Sequence, residues 1–346
     1  MKHHNTIGVD LAKNVIYVSV VSPNHKELFS KELTRNKFCE FLANQKPALV
    51  AFEACATAHY WSRVARSFGH QTKILPALSV YPFRQGHKTD KNDALAVAEA
   101  ANRPHVKEAP YKTVDQQALQ SIQRSRDLLV SSRTALSNHI RSILLEFGFA
   151  IRQGYRALHQ HIPDILEDGD NDLPDRYRAT LHLLYRRLCD LREDIDIIDE
   201  QITAQIKDHA ACAKLTELEG IGPIGAILLY ASLGTGEAFK NGREYAAYLG
   251  LTPKQHSSGG KTHLVGISKH IANKQLRAIL IQGARAYIHR AKPRNTVKDQ
   301  WLHALIERAG TGKASVALAN KNVRTAWALL TQGTTYHKSP ALLGAT

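Results

Sequence analysis

The chain has 346 residues, is 43% hydrophobic, and carries a net charge of +15 with a pI of about 9.6. It can bury a real core and is long enough for two or three domains. No apolar run reaches the roughly 18 residues a membrane helix needs, and the four cysteines (Cys39, Cys55, Cys189, Cys212) form no CxxC pair, so a disulfide framework and a zinc site are both disfavoured.

Residues 6–10 (Thr-Ile-Gly-Val-Asp) predict a strand, and the β-branched stretch Val15 to Val21 a second. A Ser22-Pro23-Asn24-His25 turn leads to a third strand, Lys26 to Leu33. Phe38, Phe41 and Leu42 share one face of a helix over Asn36 to Gln45. Ala48 to Glu53 is a buried strand, Thr57 to Phe68 a helix stopped by Gly69, and Lys73-Ile74-Leu75 a short strand. An alanine-rich helix opens near Asp90 and reaches about Asn102. The order βββαβαβα is that of an RNase H-like α/β domain, over residues 1–108.

Apolar residues then recur every three or four positions from Leu119 to Ile143 and again from Leu181 to Ile202. Two long helices joined by an acidic Pro/Gly-containing loop at 162–174 fit a helical hairpin or coiled coil over 109–210. A spacer and a dimerisation element are equally compatible with that pattern. Residues 211–335 read as a mainly α domain with a loop from about Leu251 to Ser268, and 336–346 as a tail. Residues 240–346 hold 17 Lys/Arg against 3 Asp/Glu, so nearly all the excess charge lies there. A concentration of that kind fits a polyanion, nucleic acid before any other. With no signal-peptide pattern the expected location is the cytoplasm, at the nucleoid when acting.

Asp10 ends the first strand and Glu53 ends the fourth. Asp90 and Asp93, at i and i+3, share one helix face. In an RNase H-like sheet the first and fourth strands are neighbours and the helix crosses them, so four carboxylates can converge. All-oxygen donors suit Mg²⁺, with Mn²⁺ as a substitute, and such sites serve phosphodiester chemistry. Singly the acids have plainer readings: Asp10 as a turn residue, and Asp90 as an N-cap with Asp93 in a charged first turn.

Gly220-Ile-Gly222-Pro-Ile-Gly225 spells GxGxxG but lacks the preceding strand of a dinucleotide site. A helix-hairpin-helix, whose turn N–H groups bind DNA phosphate without reading sequence, suits the flanking helical spacing better. A tight turn between packed helices is the plainer alternative. Ser257-Ser258-Gly259-Gly260 lies among Lys254, Lys261, Lys269, Lys274 and Arg277, cations able to hold a phosphate. Alone, a Ser-Gly loop is a weak sign of a nucleophile. His256 and His263 are near, but spacing defines no Ser-His-Asp arrangement.

Taken together, IGVDLAKN (7–14), VAFEACATAHYW (50–61), KTDKNDA (88–94), LEGIGPIGA (218–226) and GLTPKQHSSGGK (250–261) resemble the insertion-sequence transposases of the IS110 type and the related Piv-type DNA invertases, over nearly the whole chain. The resemblance implies a RuvC-like DEDD domain, a coiled-coil linker and a serine-bearing C-terminal domain. It maps the DEDD residues onto Asp10, Glu53, Asp90 and Asp93, and the serine onto Ser258, with Ser257 as the alternative. It further implies an element-encoded guide RNA, a homo-oligomer (dimer or tetramer) with sites shared between protomers, and strand exchange on DNA through a covalent phosphoserine. The rivals are a metal-dependent nuclease of the Holliday-junction type, which needs the acids but not the serine, a DNA invertase, and a non-catalytic nucleic-acid-binding protein, which keeps the basic third and dispenses with the acids. The stretch 269–273 lacks a glycine that family members often carry.

Overall fold

The computed structural model describes residues 4–268, 271, 273–290 and 296–337. The chain divides into two compact units that alternate along the sequence: residues 1–117, 229–277 and 320–334 in one, and 118–228, 278–319 and 335–346 in the other. Among the described residues no helix is long and apolar enough to cross a membrane.

The first unit opens with β1 (Thr6–Leu11), β2 (Val15–Val21), β3 (Glu27–Thr34), α1 (Arg35–Asn44), β4 (Leu49–Glu53), α2 (Ala58–Ser67), β5 (Gln71–Leu75), a short α3 (Ala77–Val80) and α4 (Asp90–Ala101). The five strands form one mixed sheet in the order β3-β2-β1-β4-β5. The first three pair antiparallel, and β4 and β5 run parallel to β1. This architecture fits the RNase H-like expectation, with the predicted element order intact.

Pleat alternation gives the sheet two faces. Ile7, Val9, Val50 and Phe52 join Phe38, Leu42 and Trp61 in the core beneath α1 and α2. On the other face Ala51 and Leu75 pack with Ala96, Val97, Ala100 and Ala101 of α4. Gly8 lies on this second face, and a Cβ there would sit 2.1 Å from the Ala94 carbonyl oxygen and 2.5 Å from the Ala98 nitrogen. The helix backbone therefore rests directly on β1, which only glycine permits. Gly8→Ala is expected to cost about 1–3 kcal/mol, the usual penalty of overpacking. Urea denaturation checks this, and an unchanged midpoint would mean that α4 does not sit on β1.

Further along are α5 (Val114–Glu146), α6 (Tyr155–Glu167), α7 (Asp175–Asp208), α8 (Ala210–Thr216), α9 (Pro223–Leu233) and α10 (Gly242–Tyr248). Then come β6 (Pro253–Ser258), β7 (Lys261–Ile267), α11 (Lys274–Arg290) and α12 (Val297–Thr331). The last is broken at Gly310, where φ is +80°. Both long central helices are present and run antiparallel. Arg126 of α5 makes a paired hydrogen bond to Asp199 of α7, its longer arm 3.0 Å, while Ile140 and Leu144 pack with Leu181 and Leu188.

Two expectations are corrected. The stretch 162–174, expected as a loop, is helical up to Glu167. Leu158, Ile162 and Ile165 of α6 are buried against α5 and α7, and this packing outweighs Pro163 inside the helix. Pro163 cannot donate to the His159 carbonyl, which instead accepts a 3.4 Å hydrogen bond from the Tyr185 hydroxyl. The loop expected at 251–268 is a β-hairpin, described below. α9 is apolar on all sides and buried through Ala226 to Leu229, as a helix inside a core must be.

Within the first unit, the Gln116 side chain donates to the Tyr230 and Gly234 carbonyls at 3.3 and 2.6 Å. Asn320 donates to the Leu251 carbonyl at 3.2 Å. The segment carrying the hairpin is thus tied into the same unit as the sheet.

Candidate active site

Asp10 lies two residues beyond Gly8 on β1, on the same face, toward α4. β1 and β4 pair in parallel with Val9 opposite Phe52, so Glu53 ends its strand beside Asp10. α4 is capped by Thr89, whose hydroxyl accepts from the Asn92 N–H at 3.3 Å. The cap is therefore Thr89 and not Asp90, and both Asp90 and Asp93 fall in the first turn, where the helix dipole favours negative charge.

The carboxylates sense one another. Burial first, then Asp90, Asp93 and Glu53, push the Asp10 carboxyl up to about 6. Burial and Asp93 raise Glu53, against the pull of Arg84 and Lys88. Arg84 pairs with Asp93 at 3.5 Å and stacks its guanidinium over Tyr81 at 5.1 Å. Sequence reasoning missed Arg84. Its only signal was position, a few residues before the KTDKNDA stretch.

Among the described residues no three His, Cys, Asp or Glu side chains are close enough to grip an ion as they stand. Asp10 and Glu53 are near enough to the other acids to be repelled by them. The donor set nonetheless fits a divalent cation: it is all oxygen, half-buried at Asp10 and Glu53, and its mutual repulsion is what a cation relieves. The charges that shift Asp10 and Glu53 all belong to the N-terminal elements.

The predicted serine loop is an antiparallel hairpin. Gly259 (φ +55°) and Gly260 (φ +76°) make its two-residue turn, a conformation of the type I′ kind that glycine supplies. Ser258 lies opposite Lys261, Ser257 opposite Thr262, His256 opposite His263 and Lys254 opposite Val265. Residues 254, 256 and 258 therefore share a face with 261, 263 and 265, while Gln255, Ser257 and Leu264 lie on the other. All of β6 is exposed.

The remaining residues predicted to touch nucleic acid divide. Lys254, Lys261 and Lys274 are exposed, and Lys269 lies outside the described residues. Arg277 is engaged within the protein: its guanidinium donates to the Ser268 carbonyl and, at 3.5 Å, to the Gly250 carbonyl, clasping both ends of the hairpin. Gly220 (φ +81°) meets the backbone of Gly283, where a Cβ would come within 2.6 Å, so packing accounts for it. Gly222 faces open space, and a Cβ at Gly225 would sit at ordinary van der Waals distances. The preceding element is helix α8, which removes the dinucleotide reading of GxGxxG.

Residues 212–300 match a family model described as "Transposase IS116/IS110/IS902 family", and residues 7–149 match the DEDD transposase model of the IS110 group. The DEDD match suggests dependence on a divalent metal. The chain is 38% identical over 336 residues to the transposase for insertion sequence element IS1111A of Coxiella burnetii, covering 97% of this chain and 92% of that one. It is 40% identical over 331 residues to a probable family 20 transposase of Pseudomonas aeruginosa, covering 95% and 98%. A more distant likeness, 21% over 340 residues with 91% and 96% covered, is to the pilin gene-inverting protein of Moraxella bovis.

Proposed function

The chain belongs to the IS116/IS110/IS902 family of insertion-sequence transposases, and on that premise we propose that it is a site-directed DNA recombinase whose acidic cluster and hairpin serine act together on phosphodiesters. Transposases of this family act on DNA, and a DEDD domain is consistent with cutting and rejoining it. The observation that supports the reading is that Asp10 on β1, Glu53 on the neighbouring β4, and Asp90 and Asp93 in the first turn of α4 lie near enough for their charges to add to burial in raising the Asp10 carboxyl to about 6.

In this reading Asp10, Glu53, Asp90 and Asp93 hold Mg²⁺, or Mn²⁺ in its place. When bound, the ion supplies Lewis-acid stabilisation of phosphate charge. Arg84 keeps Asp93 turned toward the cluster. Ser258, presented at the hairpin tip beside Lys261, attacks a DNA phosphate and becomes covalently joined to it. Lys254, Lys261, Lys269 and Lys274 hold the backbone, and backbone N–H groups of the turn at Gly222, before α9, bind phosphate. The antiparallel pair α5 and α7 serves as a coiled coil between a 1–108 catalytic region and a 211–335 transposase region, in a homo-oligomer, and an element-encoded RNA guides target choice. The likeness to a gene-inverting protein makes inversion a second outcome of the same chemistry.

A donor plasmid carrying the element and its ends tests this. Excision and joining by the unaltered protein, lost in both Asp10→Asn and Ser258→Ala, is the expected result. Joining that survives Ser258→Ala would move the assignment to a metal-dependent nuclease acting with host enzymes. Neutralising Lys254 and Lys261 to glutamine is expected to lower the salt slope of DNA binding by about 2, near 0.9 for each phosphate no longer neutralised. An unchanged slope in a titration from low to physiological salt would take the hairpin out of the interface.

A further inference from the structure

The pairing register of the hairpin sorts its side chains in a way the linear sequence does not. Ser258, Lys261, His256, His263 and Lys254 all fall on one face, and Ser257 on the other. His256 and His263 are direct cross-strand partners, one pleat step from the Ser258–Lys261 pair. In an antiparallel ribbon, diagonal neighbours such as Ser258 and His263 lie roughly 7–8 Å apart between their α-carbons, within reach of a ring and a short side chain. The ribbon is exposed, so a DNA backbone laid on this face meets hydroxyl, imidazoles and ammonium groups together.

We infer that the cross-strand pair His256–His263 is the proton acceptor for Ser258, with Lys261 holding the non-bridging oxygens of the attacked phosphate. This rests on the serine reading above. A serine hydroxyl is a weak nucleophile until a neighbouring base takes its proton. The step balances within the site. The Ser258 Oγ–P bond forms as its proton passes to one imidazole of the pair; the bond from phosphorus to the departing DNA oxygen breaks, and the imidazolium returns the proton to that oxygen. In the rejoining direction the same proton runs back. The two rings face each other between Lys254 and Lys261, the charged groups on this face.

The assignment also explains why Ser258 and not Ser257 would react. Their backbones are adjacent at the tip, but only Ser258 shares a face with both rings.

The test is single-turnover formation of covalent protein–DNA adduct by the full-length protein, purified with the nucleic acid it carries, on element-end DNA with Mg²⁺. H256N, H263N, the double variant and S258A are compared across pH. At saturating DNA the double variant is expected to form adduct 10²- to 10⁴-fold more slowly, the usual span for loss of a general base. It should lack the acid-side limb of the unaltered protein's pH profile and regain rate with millimolar imidazole in the buffer. A double variant that matches the unaltered protein at every pH overturns the inference. So does a slow variant with the same pH profile and no imidazole rescue, since that marks a merely structural role. Adduct formed by S258A would instead overturn the serine reading itself.

Discussion

Asp10→Asn is expected to abolish strand breakage while making the ion-free protein more stable. The activity loss follows from removing the carboxylate on which the other three converge. Lewis-acid stabilisation is worth several kcal/mol, and about 4 kcal/mol corresponds to roughly 10³-fold in rate. The stability gain follows from the sign of the pKa shift. Asp10 is raised from 3.8 to about 6 in the folded state, so the fold holds the proton after the unfolded chain has released it. The fold therefore loses stability as pH rises through that window, and the loss is complete above pH 6. Asparagine carries no such penalty. For a half-exposed group screened by solvent this amounts to about 1 kcal/mol at pH 8, or about 1–2 °C in a chain of this size. Added Mg²⁺ should raise the melting temperature of the unaltered protein and leave that of D10N in place. Thermal melts at pH 4 and pH 8, with and without Mg²⁺, measure both effects. A variant less stable than its parent at pH 8 would show that Asp10 is a structural residue.

Ser258→Ala is the second large effect. It should eliminate covalent DNA linkage and rejoining, whereas Ser257→Ala, on the opposite hairpin face, should retain both within about tenfold, a difference of about 1.4 kcal/mol in barrier. Both serines are exposed, so neither change threatens the fold. Gel separation of adduct from free DNA decides between them. Equal losses in the two variants would mean that the tip acts through its backbone turn rather than through one hydroxyl.

The elements that carry Asp10, Glu53, Asp90 and Asp93 were legible in the sequence because their signals are written locally. β-Branched runs mark β1 and β2, an apolar run marks β4, and Thr89 followed by an alanine-rich stretch marks α4. What sequence alone could not show is why α4 sits where it does. That depends on Gly8, whose missing side chain matters only against the Ala94 carbonyl. The hairpin escaped detection because Gln255, His256, Ser257 and Ser258 are polar on both faces and give no apolar alternation; the Gly259-Gly260 turn was the single signal. α6 was hidden by Pro163, a breaker overruled by tertiary packing. Arg277 has a role the sequence did not show: a basic residue in a basic region reads as a phosphate ligand, and in the fold its guanidinium clasps carbonyls at both ends of the hairpin. Gly220 likewise has its reason in Gly283, far along the chain.

The serine reading stands or falls on the identity of the atom that joins DNA. Covalent adducts trapped from cells carrying the protein with its element, digested and weighed by mass spectrometry, give it directly. The tryptic peptide Gln255–Lys261 contains both candidate serines, and fragmentation separates them. A nucleotide on Ser258 is the predicted result. A nucleotide on any other residue, or free DNA ends with no adduct at all, would contradict it.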